Sequence, residues 1–108
     1  MKNDVVKLIT IVSKTDGSGF RQEEERHEIE IMAELKSVKY AEFYQSVSAG
    51  MEVQIIVVVN IDDFDSGIIE REGRKIRPAL VIYDGTEYRI IRTFMRKRKL
   101  ELSLQEVE

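Results

Sequence analysis

The chain has no cysteine, one proline and one histidine among its 108 residues. Without cysteine there is no disulfide framework, no thiol nucleophile and no thiolate metal site, which fits a reducing compartment. The single proline, Pro78, suits the first position of a strand, where a missing N–H is tolerated. No apolar run is long enough to cross a membrane as a helix: the greasiest stretch, IIVVV, is flanked closely by Glu52 and Asp62. The opening residues, MKNDVVKLIT, lack a cationic region followed by a long apolar run and a cleavage site, so no signal peptide is expected. With a net charge of −3 and 34% charged residues, the chain is a poor candidate for sequence-independent grip on duplex nucleic acid. That balance does not exclude a protein that DNA merely passes. The length predicts one domain with a single core.

What is present is mostly strand pattern. Residues 5–14 read as a first strand of ambiguous phase, with Val6, Leu8 and Val12 on one face and Val5, Ile9 and Ile11 on the other. TDGSGF, residues 15–20, is hairpin punctuation, and 21–25 a solvated charged run. In residues 26–36, His27, Ile29, Ile31, Ala33 and Leu35 alternate with Glu28, Glu30, Met32, Glu34 and Lys36, the pattern of a half-exposed strand. Next comes a short helix: Tyr40, Phe43, Tyr44 and Val47 share one helical face, Ser37 can cap its start, and Gly50 can end it. About ten helical residues are marginal alone in water, so the aromatic face must dock.

Residues 51–61 form the most apolar strand. Val53, Ile55, Val57, Val59 and Ile61 point to one side, Gln54, Ile56, Val58 and Asn60 to the other, so both faces want cover. Residues 62–77 read as the longest irregular segment, with Ile68 and Ile69 at its centre, and loops this long are usually functional or disordered. The end is a β-meander: strand 79–83, a type I′ turn at Asp84-Gly85, strand 87–94, a charged turn RKRK, and a last strand with Leu100, Leu102 and Leu104 on one face. The expected fold is mainly β, a small six-stranded barrel or sandwich with one short helix between strands 2 and 3.

No catalytic constellation stands out. His27 extends an apolar strand face with no nucleophile or carboxylate set pointing to it, so a structural role is expected. Asp62, Asp63 and Asp65 fail calcium-loop spacing and read as solvated turn acids. Arg96, Lys97, Arg98 and Lys99 read as a charged hairpin turn, with phosphate contact or an assembly interface as the functional options. The Tyr40, Phe43 and Tyr44 rings divide between core and interface, and spacing does not choose.

In order, the run AELKSVKYAEFYQSVSAGMEVQIIVVVNIDDFD and the later VIYDGTEYRIIRTFMRKRKLELSLQEV resemble the phage head–tail joining, or head-closure, family. The matching positions are Ala33, Lys36, Ser37, Val38, Phe43, Tyr44, Ala49, Gly50, Asp63, Phe64, Tyr83, Gly85, Tyr88, Ile90 and Arg92. The resemblance runs from about Ile29 to the end of the chain; no single motif is specific, but their order and spacing together are. The stretch 66–78 is longer and more basic than the family's usual link to the hairpin.

The resemblance implies a non-enzymatic structural subunit of a tailed phage or prophage virion, made in the bacterial host cytoplasm. It implies no cofactor and no metal. Such subunits form a ring at the head–tail interface, with a portal-adaptor protein on the head side and a tail-completion protein on the tail side. DNA passes through without specific binding. Ring contacts of this kind are head-to-tail. The residues expected at interfaces are Tyr40, Phe43, Tyr44, Ile56, Val58, Ile68, Ile69, Arg71, Arg74, Lys75, Arg96 and Arg98, with the 62–77 loop as a candidate channel plug. The rival class is an OB-like barrel that binds single-stranded nucleic acid by stacking bases on Tyr83 and Tyr88 beside the RKRK turn.

Overall fold

The computed structural model describes residues 2–15, 22–36, 53 and 55–107. Its strands are β1 (Lys2–Thr15), β2 (Gln22–Lys36), β3 (Ile55–Asn60), β4 (Ile69–Arg71), β5 (Arg74–Ile76), β6 (Leu80–Tyr83), β7 (Thr86–Arg96) and β8 (Lys99–Glu106). A five-residue helix, α1 (Ile61–Asp65), follows β3. Six strands close an antiparallel barrel in the order β1-β2-β3-β8-β7-β6, and β4-β5 is a separate two-stranded sheet. The fold is thus the expected mainly β barrel, in its closed form. The helix expected between strands 2 and 3 lies outside the described residues.

Alternation builds the core. Val6 and Leu8 of β1, Ile31 and Ala33 of β2, Val57 and Val59 of β3, Val81 of β6, and Leu100, Leu102 and Leu104 of β8 are buried in one cluster. Side chains two apart share a face, so each strand contributes every second residue to it. This settles the phase of β1: Val6, Leu8, Thr10 and Val12 face in. Ile9 is also fully buried although it points the other way, which is why alternation alone could not choose.

Closure is brief. β1 meets β6 over Lys7–Ile82, Leu8–Val81 and Ile9–Leu80, extended by a hydrogen bond from the Ala79 N–H to the Ile9 carbonyl. β1 and β2 stay paired far beyond that level, to Thr15–Gln22, so they run on as a two-stranded ribbon. The residues read as a solvated run before the second strand therefore belong to β2 from Gln22 on. β7 and β8 pair as far as the turn after Arg96, with Lys97 at φ 56°, and β8 stays paired to β3 up to Lys99. The molecule measures 49 × 30 × 26 Å along its principal axes.

The segment read as irregular is ordered. The Asn60 side chain accepts a hydrogen bond from the Asp62 N–H at 2.8 Å and caps α1, whose first turn carries Asp62 and Asp63. Acids there suit the positive end of the helix. Phe64 turns inward and joins the core cluster. Gly67 follows, packed so tightly that a methyl group on it would lie 2.9 Å from Pro78 Cγ and 3.2 Å from Ile29 Cδ1. The Thr10 hydroxyl donates to the Gly67 carbonyl at 2.6 Å, in a buried position. The chain then makes the β4–β5 hairpin, with Ile69 opposite Ile76 and Glu70 opposite Lys75. Its turn, Glu72-Gly73, has φ of 52° and 74°, the same left-handed pair found at Asp84-Gly85, 50° and 77°.

Candidate functional site

Two surface features bring charged side chains together. The first lies where the β4–β5 hairpin meets the β1–β2 ribbon. Glu25 of β2 stands 3.3 Å from His27 Nε2 and 3.9 Å from Arg71 Nη2 of β4. Val12 pairs with Glu25 and Thr10 with His27, so these groups share the inward face of the ribbon. The Glu25–Arg71 pair links the hairpin to the ribbon, while His27 Nε2 is buried and, among the described residues, finds no hydrogen-bond partner. Nearby, Arg26 hydrogen-bonds Glu87 of β7. That hydrogen bond, opposed by slight burial and aided by the charges of Glu87, Glu28 and Glu24, holds the guanidinium above its already high ordinary value.

The second feature is an open groove of about 310 Å³ on the outside of the barrel, lined by Glu34, Lys36, Val58, Arg96, Lys97, Lys99 and Glu101. The pairing register explains it: Glu34 lies opposite Val58, Val58 opposite Glu101, and Asn60 opposite Lys99. Lys36 reaches Glu101 at 3.9 Å across it. Its floor is one valine and its walls are mobile-length charged side chains, so it offers no preorganised donor set for a reaction. Among the described residues, no group of three or more acidic or histidine side chains is placed to hold a metal ion, and no helix is long and apolar enough to cross a membrane.

The expected interface residues divide. Tyr40, Phe43 and Tyr44 lie outside the described residues. Ile56 and Val58 are 3% and 9% exposed in the single chain, and Val58 lines the groove. Ile68 and Ile69 are half-buried; Arg74 and Lys75 are exposed. Arg71 pairs with Glu25 as described, and Arg98 with Asp62 at 2.7 Å. Arg96 is exposed on the groove wall. Tyr83 and Tyr88 are half-buried and pack against the core cluster.

Sequence pattern missed the large apolar side chains that are most exposed among the described residues. Val5, Met32, Phe94 and Met95 are 48%, 55%, 57% and 60% exposed. Val5 and Met32 lie directly opposite one another across β1 and β2 and form one patch. Met32 was visible on the outward side of its strand, but a lone methionine among glutamates carries no signal without its neighbour. Phe94 and Met95 are consecutive, so they sit on opposite faces of β7.

Compared with models of known protein families the chain matches none, and no curated protein matches it.

Proposed function

We propose that the protein is a structural subunit of a tailed-phage or prophage head–tail connector, one of a ring that closes the DNA-filled head and docks the tail. It works by contact and not by catalysis. The reading rests on the order of motifs that resembles the head-closure family, and one structural observation supports it. Once the barrel has closed, large apolar side chains still stand in water: Val5 with Met32 across β1 and β2, Phe94 and Met95 on β7. Scattered apolar exposure is ordinary, but a paired patch and a bare aromatic on a projecting strand are what docking surfaces use. The 61–78 segment bears on the plug idea. It is fastened by Phe64, Gly67 and Thr10, so any channel role falls to the exposed β4–β5 tip with Arg74 and Lys75.

The test is electron microscopy of the purified chain mixed with the portal-side protein encoded beside it. Rings are expected. Their absence with either order of addition counts against the proposal.

A further inference from the structure

A bulge in β7 gathers cations onto one face. Ile90 pairs with Leu104 of β8, but the next pair is Arg92 with Ser103, so Ile91 is an extra residue in the ladder. Strict alternation would put Arg89 and Arg92 on opposite sides of the strand. With the bulge they share one: Arg89 lies opposite Gln105, Arg92 opposite Ser103, Phe94 opposite Glu101 and Arg96 opposite Lys99. Those four β8 residues alternate with the core residues Leu100, Leu102 and Leu104, so the shared face is the outer one. Arg89, Arg92, Phe94, Arg96 and Lys99 are all exposed, and the turn adds exposed Lys97.

Two carboxylates share this face, and each has a cation from β2. Glu87 accepts a hydrogen bond from Arg26, and Glu101 stands 3.9 Å from Lys36. Glu34, the other acid of the groove, lies on β2, three strands from Phe94. Among the described residues, Arg89, Arg96, Lys97 and Lys99 are in no salt bridge. The chain as a whole carries −3, so this row is a local positive field on an acidic protein. The ring decides which anion suits it. From Arg89 to Arg96 the face runs roughly 20 Å, at about 3.3 Å per residue of β8. Phe94 sits within that row, between Arg92 and Arg96, so a matching chain offers anion, flat group and anion in turn. A nucleic acid with unpaired bases does so. An acidic peptide has the charge without the flat group, and a duplex keeps its bases stacked inside. We infer that the outer face of β7 binds single-stranded nucleic acid without regard to sequence. Phe94 stacks on a base, and Arg89, Arg92, Arg96 and Lys97 hold the phosphates on either side. This site goes beyond the connector reading and does not rest on it. It uses Phe94 and leaves Val5, Met32 and Met95 to a protein neighbour.

Fluorescence anisotropy of labelled oligothymidylate with the full chain tests it, beside a duplex of equal length and with polyglutamate as competitor. The single strand should bind, and log K should fall with log salt at a slope of about −2.8, which is about −0.7 for each of four phosphates. Oligouridylate should bind comparably, since neither contact reads the sugar. Arg96→Gln with Lys97→Gln should reduce the slope by about half. Phe94→Ala should weaken binding about 5- to 150-fold at unchanged slope, because the ring carries no charge, and Phe94→Tyr should restore it. All these side chains stand in solvent, so the variants are expected to melt as the wild type does, and the wild-type salt slope reads the contact without any variant. No binding at low salt, a duplex bound as tightly as the single strand, polyglutamate that competes as well as unlabelled single strand, or Phe94→Ala binding like the wild type would each overturn the proposal. None of these outcomes touches ring formation with the portal-side protein, which tests the connector reading by itself.

Discussion

Phe64 converts an acidic connector into the floor of a barrel. Its ring enters the same cluster as Leu102 and Val57, and nothing in the neighbouring aspartates would place it there. Removing it by Phe64→Ala should cost about 3–5 kcal/mol, the range for a large aromatic lost from a core, read as a lower urea midpoint at unchanged slope. Gly67 acts by what it lacks. A methyl there would press on Pro78, Ile29 and the Phe64 carbonyl, so Gly67→Ala should destabilise by about 1–3 kcal/mol through overpacking. Thr10→Val keeps the shape but leaves the buried Gly67 carbonyl without its donor, at a cost of about 1–3 kcal/mol. Arg98→Ala is the contrast: its partner Asp62 is 2.7 Å away, yet both side chains stand in solvent, so the loss should stay within about 1 kcal/mol. Near-equal losses at Phe64 and Arg98 would contradict this ordering.

Among the elements, the strands with one wet face were legible. The alternation of β2 and the leucines of β8 placed Ile31, Ala33, Leu100, Leu102 and Leu104 correctly in the core, and Asp84-Gly85 marked its turn. The phase of β1 was not legible, because Ile9 is buried on the face away from the barrel core. The 61–76 region was missed for a matter of length. Three-residue strands and a five-residue helix are shorter than the window in which a period of two or of 3.6 shows itself. One local signal was available: Asn60 ahead of two aspartates is a helix start, and it was overshadowed by reading the acids as a turn. Glu72-Gly73 is a weaker turn signal than Asp-Gly but adopts the same geometry. A two-stranded sheet this short is marginal by itself. The ladder amides of Ile69 and Ile76 should therefore exchange with deuterium well ahead of those of Val57 and Leu102. Equal protection would mean that the hairpin is welded to the barrel and not clipped to it through Glu25 and Arg71.

At the scale of the whole molecule, the site was less legible than the fold. The aromatic face at Tyr40, Phe43 and Tyr44 drew attention by its spacing, whereas Val5 and Met32 became a patch only through strand register. Ile56 and Val58, marked by apolar pattern on both faces of their strand, are buried within the single chain. A protein that leaves Val5, Met32, Phe94 and Met95 in water is suited to standing against neighbours. If it is the connector subunit proposed above, deleting its gene from the phage or prophage that would encode it and inspecting the particles tests that role most directly. The account predicts DNA-filled or leaking heads and free tails that do not join, with infectivity restored when the gene is supplied separately. Complete, infectious virions formed without it would contradict the account.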